Sequence, residues 1–161
     1  MNASPKNAPV LILRGMSAAD LMTPSAPSIR ENAPIPDAIA LFADRGVGAA
    51  AVIDPAGRPI GVVSRTDVLI HEREQTGRGA AAGGPTGARD RARVGDVMTP
   101  AVFAVAPDYP ADKVVADLLR LKVHQLFVVD AAGVLIGVVN AQDVLRHLRP
   151  ETPGATRERT V

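Results

Sequence analysis

Asp20-Leu-Met-Thr-Pro24 and Asp96-Val-Met-Thr-Pro100 are one phrase written twice, 76 residues apart. The same offset relates Asp54-Pro-Ala-Gly57 to Asp130-Ala-Ala-Gly133, Ile60-Gly-Val-Val63 to Ile136-Gly-Val-Val139, and Asp67-Val-Leu69 to Asp143-Val-Leu145. Over positions 20 to 69 there are 18 identities in 50 with no gap, several at turn-forming Gly, Pro and Asp. A register kept over that distance is a tandem duplication of one supersecondary unit. Repeats of this kind usually bury their apolar faces against each other.

Both units carry the same signals. The Met-Thr-Pro segment is a short lead-in whose Pro resists helical continuation. Pro34 or Pro110 then opens a helix, where its missing N–H costs nothing. Ile35, Ala38, Ile39 and Phe42 form an apolar stripe at helical spacing. Ala49 to Ile53 and Ile60 to Ser64 read as strands joined through Asp54-Pro-Ala-Gly57, and a helix follows from Arg65 to about Glu74. In the second unit the strands are Leu126 to Val129 and Leu135 to Asn140, and the last helix runs from Ala141 to about Leu148. The expected fold is α/β (α+β), two repeats that each make a small sheet with two helices.

The expected organisation is an N-terminal segment 1–17, a first repeat 18–74, a linker 75–93, a second repeat 94–148 and a tail 149–161. Gln75 to Ala92 carries five Gly, one Pro and a run of Ala without apolar periodicity, so it reads as a flexible connector. Residues 1–9 and Pro150 onward read as loose ends.

Composition narrows the function. The 161 residues fit one domain or two small units sharing a core, and 47% apolar with 22% charged residues is a globular balance. One Tyr, three Phe and no Trp leave no aromatic platform for single-stranded nucleic acid. Eighteen Lys plus Arg against 17 Asp plus Glu is too even a charge for a polyanion binder, so nucleic acid is not an expected partner. The absence of Cys removes disulfides, thiolate metal sites and cysteine nucleophiles, and fits a reducing cytoplasm. Val10 to Leu13 is the longest N-terminal apolar run, too short for a signal segment or a membrane span. No His-x-x-Glu-His cluster, Gly-x-Ser-x-Gly elbow or P-loop occurs, and His71, His124 and His147 lie far apart. An enzyme is therefore not expected, nor a metal.

The repeated Asp-x-Met-Thr-Pro, the Val-Val-Asp before the second turn and the Gly-Val-Val-[Ser/Asn]-x-x-Asp after it resemble a tandem pair of CBS (cystathionine β-synthase) domains, a Bateman module. The resemblance covers roughly residues 18 to 148, with no other domain attached. It implies two repeats related by pseudo-two-fold symmetry, a regulatory role, and an adenosyl ligand (AMP, ADP, ATP, NAD or S-adenosylmethionine) in the inter-repeat cleft. It also implies a homodimer, and some members of the family have no known ligand.

Two clefts follow. Where strand gives way to helix at Ser64, free backbone N–H groups meet the helix dipole, which suits an anion. Arg65 can fork onto a phosphate and Asp67 can accept both hydroxyls of a ribose. By the resemblance, Asp67 holds the ribose while Ser64, Arg65 and Thr66 lie toward the phosphates, and His124 reaches in from the other repeat. Thr23, Ala26 and Ala51 are the expected adenine wall. The second, weaker cleft has Asn140, Gln142 and Asp143, with Thr99, Val102 and Phe127 as its wall and no cation beside Asn140. Ser64-x-x-Asp67 is also close to a capping box, and cap and ligand roles are compatible.

The helix from Pro110 to Lys122 has Val114, Val115, Leu118, Leu119 and Leu121 over roughly 160°, wide enough either to fill a thicker core or to meet a second chain. Two functions compete: a ligand sensor, which needs Arg65, Asp67 and His124 to converge on one open cleft, and a ligand-free dimeric scaffold that docks an unidentified protein target.

Overall fold

A computed structural model describes residues 10–82 and 91–151 of the chain. The elements in order are β1 (Leu11–Leu13), α1 (Ala18–Leu21), β2 (Thr23–Pro24), β3 (Ser28–Arg30), α2 (Ile35–Arg45), β4 (Ala49–Ile53), β5 (Pro59–Ser64) and α3 (Arg65–Ala82), then α4 (Val94–Val97), β6 (Ala104–Val105), α5 (Ala111–Arg120), β7 (Gln125–Val129), β8 (Leu135–Asn140), α6 (Ala141–Arg146) and β9 (Leu148–Pro150). The fold is mixed α+β, built from two repeats. In each, a short strand runs parallel to the first hairpin strand, and the hairpin itself is antiparallel: β3-β4-β5 in one, β6-β7-β8 in the other.

The two halves are interlocked through their lead-ins. β2 pairs not with its own repeat but with β8 of the second, Thr23 opposite Val138. Reciprocally, Thr99 bridges to Val62 in β5 of the first. The short helices ahead of these segments follow the same exchange. Ala18 and Leu21 of α1 are buried among Val114, Leu118, Leu126 and Val139 of the second repeat, whereas Val94 of α4 is buried among Ile35, Phe42, Val52 and Val63 of the first. Each core is thus completed by the other unit's entry segment, and a third cluster of Ala51, Phe127 and Val138 fills the seam. The apolar residues that close each core come from the other unit's lead-in, so neither repeat holds a full core alone.

The hairpin turns also meet at the seam. Gly57 and Gly133 adopt φ of 83° and 80°, which a side chain would strain. Leu135 N–H donates to Gly57 O at 3.0 Å. The equivalent donor in the first repeat is missing, because Pro59 has no N–H. Arg58 Nε donates to Ala132 O at 3.2 Å instead, a side chain standing in for a backbone group.

Several expectations need correction. α3 continues eight residues beyond Glu74, to Ala82, because Glu72, Arg73, Glu74 and Gln75 are good helix formers and its early Gly is tolerated; the rest of the connector, 83–90, lies outside the described residues. α6 stops at Arg146, and Leu148–Pro150 pairs with Leu11–Leu13 as an antiparallel ribbon, so chain read as a helix end and loose tail is strand on both sides. The expected loose ends at 1–9 and 152–161 fall outside the described residues. Pro34 and Pro110 stand as N-caps just before α2 and α5. Ile39, expected in the buried stripe, is exposed, because only Ile35, Ala38 and Phe42 face the sheet.

Candidate functional site

β5 ends at Ser64 and α3 starts at Arg65, so the chain turns from sheet to helix beside the first unused backbone donors. Asp67 answers that need with one oxygen. Its Oδ2 accepts from Ser64 N–H at 2.8 Å and from Ser64 Oγ at 2.6 Å, and Ser64 Oγ accepts from Asp67 N–H at 3.2 Å. The capping reading of this pair therefore holds. Asp67 Oδ1 receives no hydrogen bond among the described residues, and the side chain is only half-buried.

Asp67 borders a cavity of about 420 Å³, a size that suits a small organic ligand. Val62, Ser64 and Asp67 line one side; Thr99, Phe103, Lys122, His124 and Phe127 come from the second repeat. Lys122 and His124 reach the cavity because α5 ends at Arg120 and the chain turns at Lys122, held at φ 54°. Both residues lie in the loop that precedes β7. The lining thus combines apolar side chains with one carboxylate, one Lys and one His.

Of the residues singled out in sequence, Ser64, Asp67 and His124 come together at this cavity. Arg65 does not join them. Its guanidinium donates to Phe42 O at 2.9 Å, where it caps the exposed carbonyl end of α2, and it lines a separate groove with Ile39, Val68 and Leu69. Thr66 is exposed and does not line the cavity.

The residues expected to wall adenine are redistributed. Thr23 lies at the second cleft, where its Oγ1 donates to Asp143 Oδ1 at 2.9 Å. Thr99 and Phe127, assigned to the second cleft, line the Asp67 cavity. Ala51 belongs to the seam cluster, with Ala26 and Val102 packed against it. The reason is the crossing of the lead-ins, which carries each Thr to the other repeat.

The second cleft differs in kind. Asn140 caps α6, its Oδ1 accepting from Asp143 N–H at 3.0 Å, and Asn140 N–H donates to Asp143 Oδ2 at 2.9 Å. With Thr23 on Oδ1 and Arg146 at 3.7 Å, both carboxylate oxygens are engaged, and Asp143 is 3% exposed. Gln142 is exposed. Gly46 and Gly48 occupy the positions equivalent to Lys122 and His124, so that loop offers no cation here.

Sequence reasoning missed Lys122 and Phe103. Lys122-x-His124 directly ahead of a strand was the available signal for the first. Phe103 follows the lead-in and reaches the cavity only through the exchange. Among the described residues no group of His, Asp and Glu is placed to hold a metal ion, and no helix is long and apolar enough to cross a membrane.

Comparison with known proteins agrees with this architecture. The CBS domain profile matches residues 18–74 and 94–150. The 5'-AMP-activated protein kinase subunit gamma-3 of Bos taurus is 32% identical over 120 residues, 74% of this chain, and this chain spans only 23% of that protein. The crystal structure of CBSX2 in complex with AMP superposes with a TM-score of 0.65 at 29% identity, covering 82% of this chain and 95% of that one. The cytosolic domain of the Mg2+ channel MgtE in complex with ATP gives a TM-score of 0.64 at 25% identity, covering 83% and 49%.

Proposed function

This chain belongs to the CBS domain family, as a tandem pair, and on that premise we propose that it is a non-enzymatic regulatory module binding an adenosyl nucleotide in the Asp67 cleft. The candidates are AMP, ADP, ATP, NAD and S-adenosylmethionine. AMP in CBSX2 and ATP in the MgtE domain support the class of ligand.

The observation that carries the reading is Asp67, whose Oδ1 accepts from no described residue, on a cavity shared with Lys122 and His124. A carboxylate oxygen left free for a donor suits a ribose hydroxyl, and the Lys122 ammonium on the same cavity suits the attached phosphate. Phe103, Phe127 and Val62 supply apolar contact for the base. In this reading Ser64 fixes the orientation of Asp67, while Thr99 borders the ligand. Occupancy ties the first repeat to the loop and lead-in of the second, and so favours one mutual arrangement of the two.

The same reading includes a cytoplasmic homodimer. Leu69 at 61% exposed and Ile39 on one helix pair, with Leu119 at 74% and Leu145 at 63% on the other, are large apolar side chains left in water. One observation favours the rival reading, a ligand-free dimeric scaffold that docks a protein target: Arg65 is spent on Phe42 O and not on a ligand.

A thermal-shift panel with the five ligands separates the two. A ligand at 100 times its dissociation constant stabilises by about 2.7 kcal/mol, on the order of 5–10 °C at this size. A rise with at least one ligand supports the sensor, and flat curves throughout support the scaffold.

A further inference from the structure

The two clefts are equivalent by descent but not by bonding. Each carboxylate gives its Oδ2 to the N-cap amide of its own helix, Ser64 in one case and Asn140 in the other. They part at Oδ1. Thr23, brought across by the first lead-in, donates to Asp143 Oδ1 at 2.9 Å, and Arg146 stands 3.7 Å from the same atom. Thr99 is the counterpart of Thr23 and makes the same backbone crossing, yet its hydroxyl gives no hydrogen bond to Asp67 among the described residues. Ile70 stands where the second repeat has Arg146, so Asp67 also lacks that cation.

We infer that the pair has diverged into one ligand cleft and one internal clamp, in which Asp143 fastens Thr23 to the second repeat and leaves its cleft without nucleotide. Asp143 is 3% exposed, and a buried carboxylate that already accepts from a hydroxyl and an amide has nothing to gain from a ribose. A sugar diol would have to displace Thr23 and would find Gly46 and Gly48 where the other cleft has Lys122 and His124. The clamp also anchors the segment through which α1 reaches the second core, so its role is to hold the exchanged lead-in in register. Thr23 is then the positioning residue that decides how many ligands one chain takes.

The stoichiometry part rests on the nucleotide reading above, and the clamp is tested without it. Thr23→Val and Thr99→Val remove one hydroxyl each at pseudo-equivalent places. Thr23→Val is expected to lower Tm by about 5 °C, the size of a lost hydrogen bond to a charged group at this chain length; Thr99→Val should move Tm by under ~2 °C. Equal shifts overturn the clamp. Equilibrium dialysis of the full chain with AMP is expected to saturate at one AMP per chain, and two per chain overturns the divergence. Should no AMP be taken up, the nucleotide reading falls, and the two Tm values still decide the clamp.

Discussion

Val62 and Thr99 exchange both of their backbone hydrogen bonds, Val62 N–H to Thr99 O at 3.0 Å and Thr99 N–H to Val62 O at 2.8 Å. That pair, with its counterpart at Thr23 and Val138, stitches each lead-in to the opposite repeat and brings the second repeat's Thr99 to the first repeat's acid. The approach is so close that only Gly fits beside it. A Cβ on Gly61 would sit 2.7 Å from Thr99 O and 2.8 Å from Met98 Sδ. Gly61→Ala is therefore expected to destabilise the fold by about 1–3 kcal/mol, as overpacking does, and to weaken ligand binding through the displaced Thr99. Chemical denaturation measures the first effect; an unchanged midpoint would show that the crossing has slack.

Arg65 and Lys122 make opposite forecasts. Lys122→Ala should weaken binding of a phosphate-bearing ligand several-fold, with a smaller effect at high salt, because it removes a charge beside the anion. Arg65→Ala should leave affinity within about two-fold and lower stability by about 1 kcal/mol through the lost bond to Phe42 O. Titration calorimetry and denaturation on both variants check this. A large affinity loss in Arg65→Ala alone would return that side chain to the site.

The exposed apolar helix faces predict association. Leu119→Glu and Leu69→Glu each bring a charge into the proposed dimer surface, where a buried unpaired charge is costly. Light scattering after gel filtration should show a dimer for the unaltered chain and a monomer for the double variant. A monomeric unaltered chain at tens of micromolar would remove dimerisation from the account.

Acid sensitivity has one identifiable contributor at the first lead-in. The Met16 and Ser17 backbone N–H groups donate to Asp20 and hold its carboxyl below the ordinary Asp value. A pKa lowered by folding stabilises the native state above the unfolded-chain value near 3.8, and that contribution is lost as pH falls through the lowered value. The Tm gap between the unaltered chain and Asp20→Asn should therefore be constant near neutrality and narrow below about pH 4. A gap that persists unchanged at pH 2–3 would mean that packing, and not the charge, is responsible.

The duplication, the hairpins and the family were legible because they rest on local signals: Gly57 and Gly133 in the turns, Val runs in the strands, Pro34 and Pro110 ahead of helices. That Asp67 and His124 would meet at one cavity was legible from their place in the repeat. The exchange of lead-ins was not, because Thr23 and Thr99 carry the same local signal whichever repeat they cross to; only the three-dimensional path separates the alternatives. Arg65 misled for a related reason. An Arg beside an N-cap is chemically apt for phosphate, but the open carbonyl of Phe42 competes for it, and that carbonyl is 23 residues away in sequence. The helical stretch from Gln75 to Ala82 was hidden by its Gly content, which lowers propensity without forbidding helix.

The central claim concerns one oxygen atom, Oδ1 of Asp67, and calorimetric titration of AMP into the unaltered chain and into Asp67→Ala tests it most directly. The account predicts measurable binding that falls by about 10- to 150-fold in the variant, the worth of hydrogen bonds to a charged group. Equal affinity in the two proteins, with the variant still folded, would contradict it.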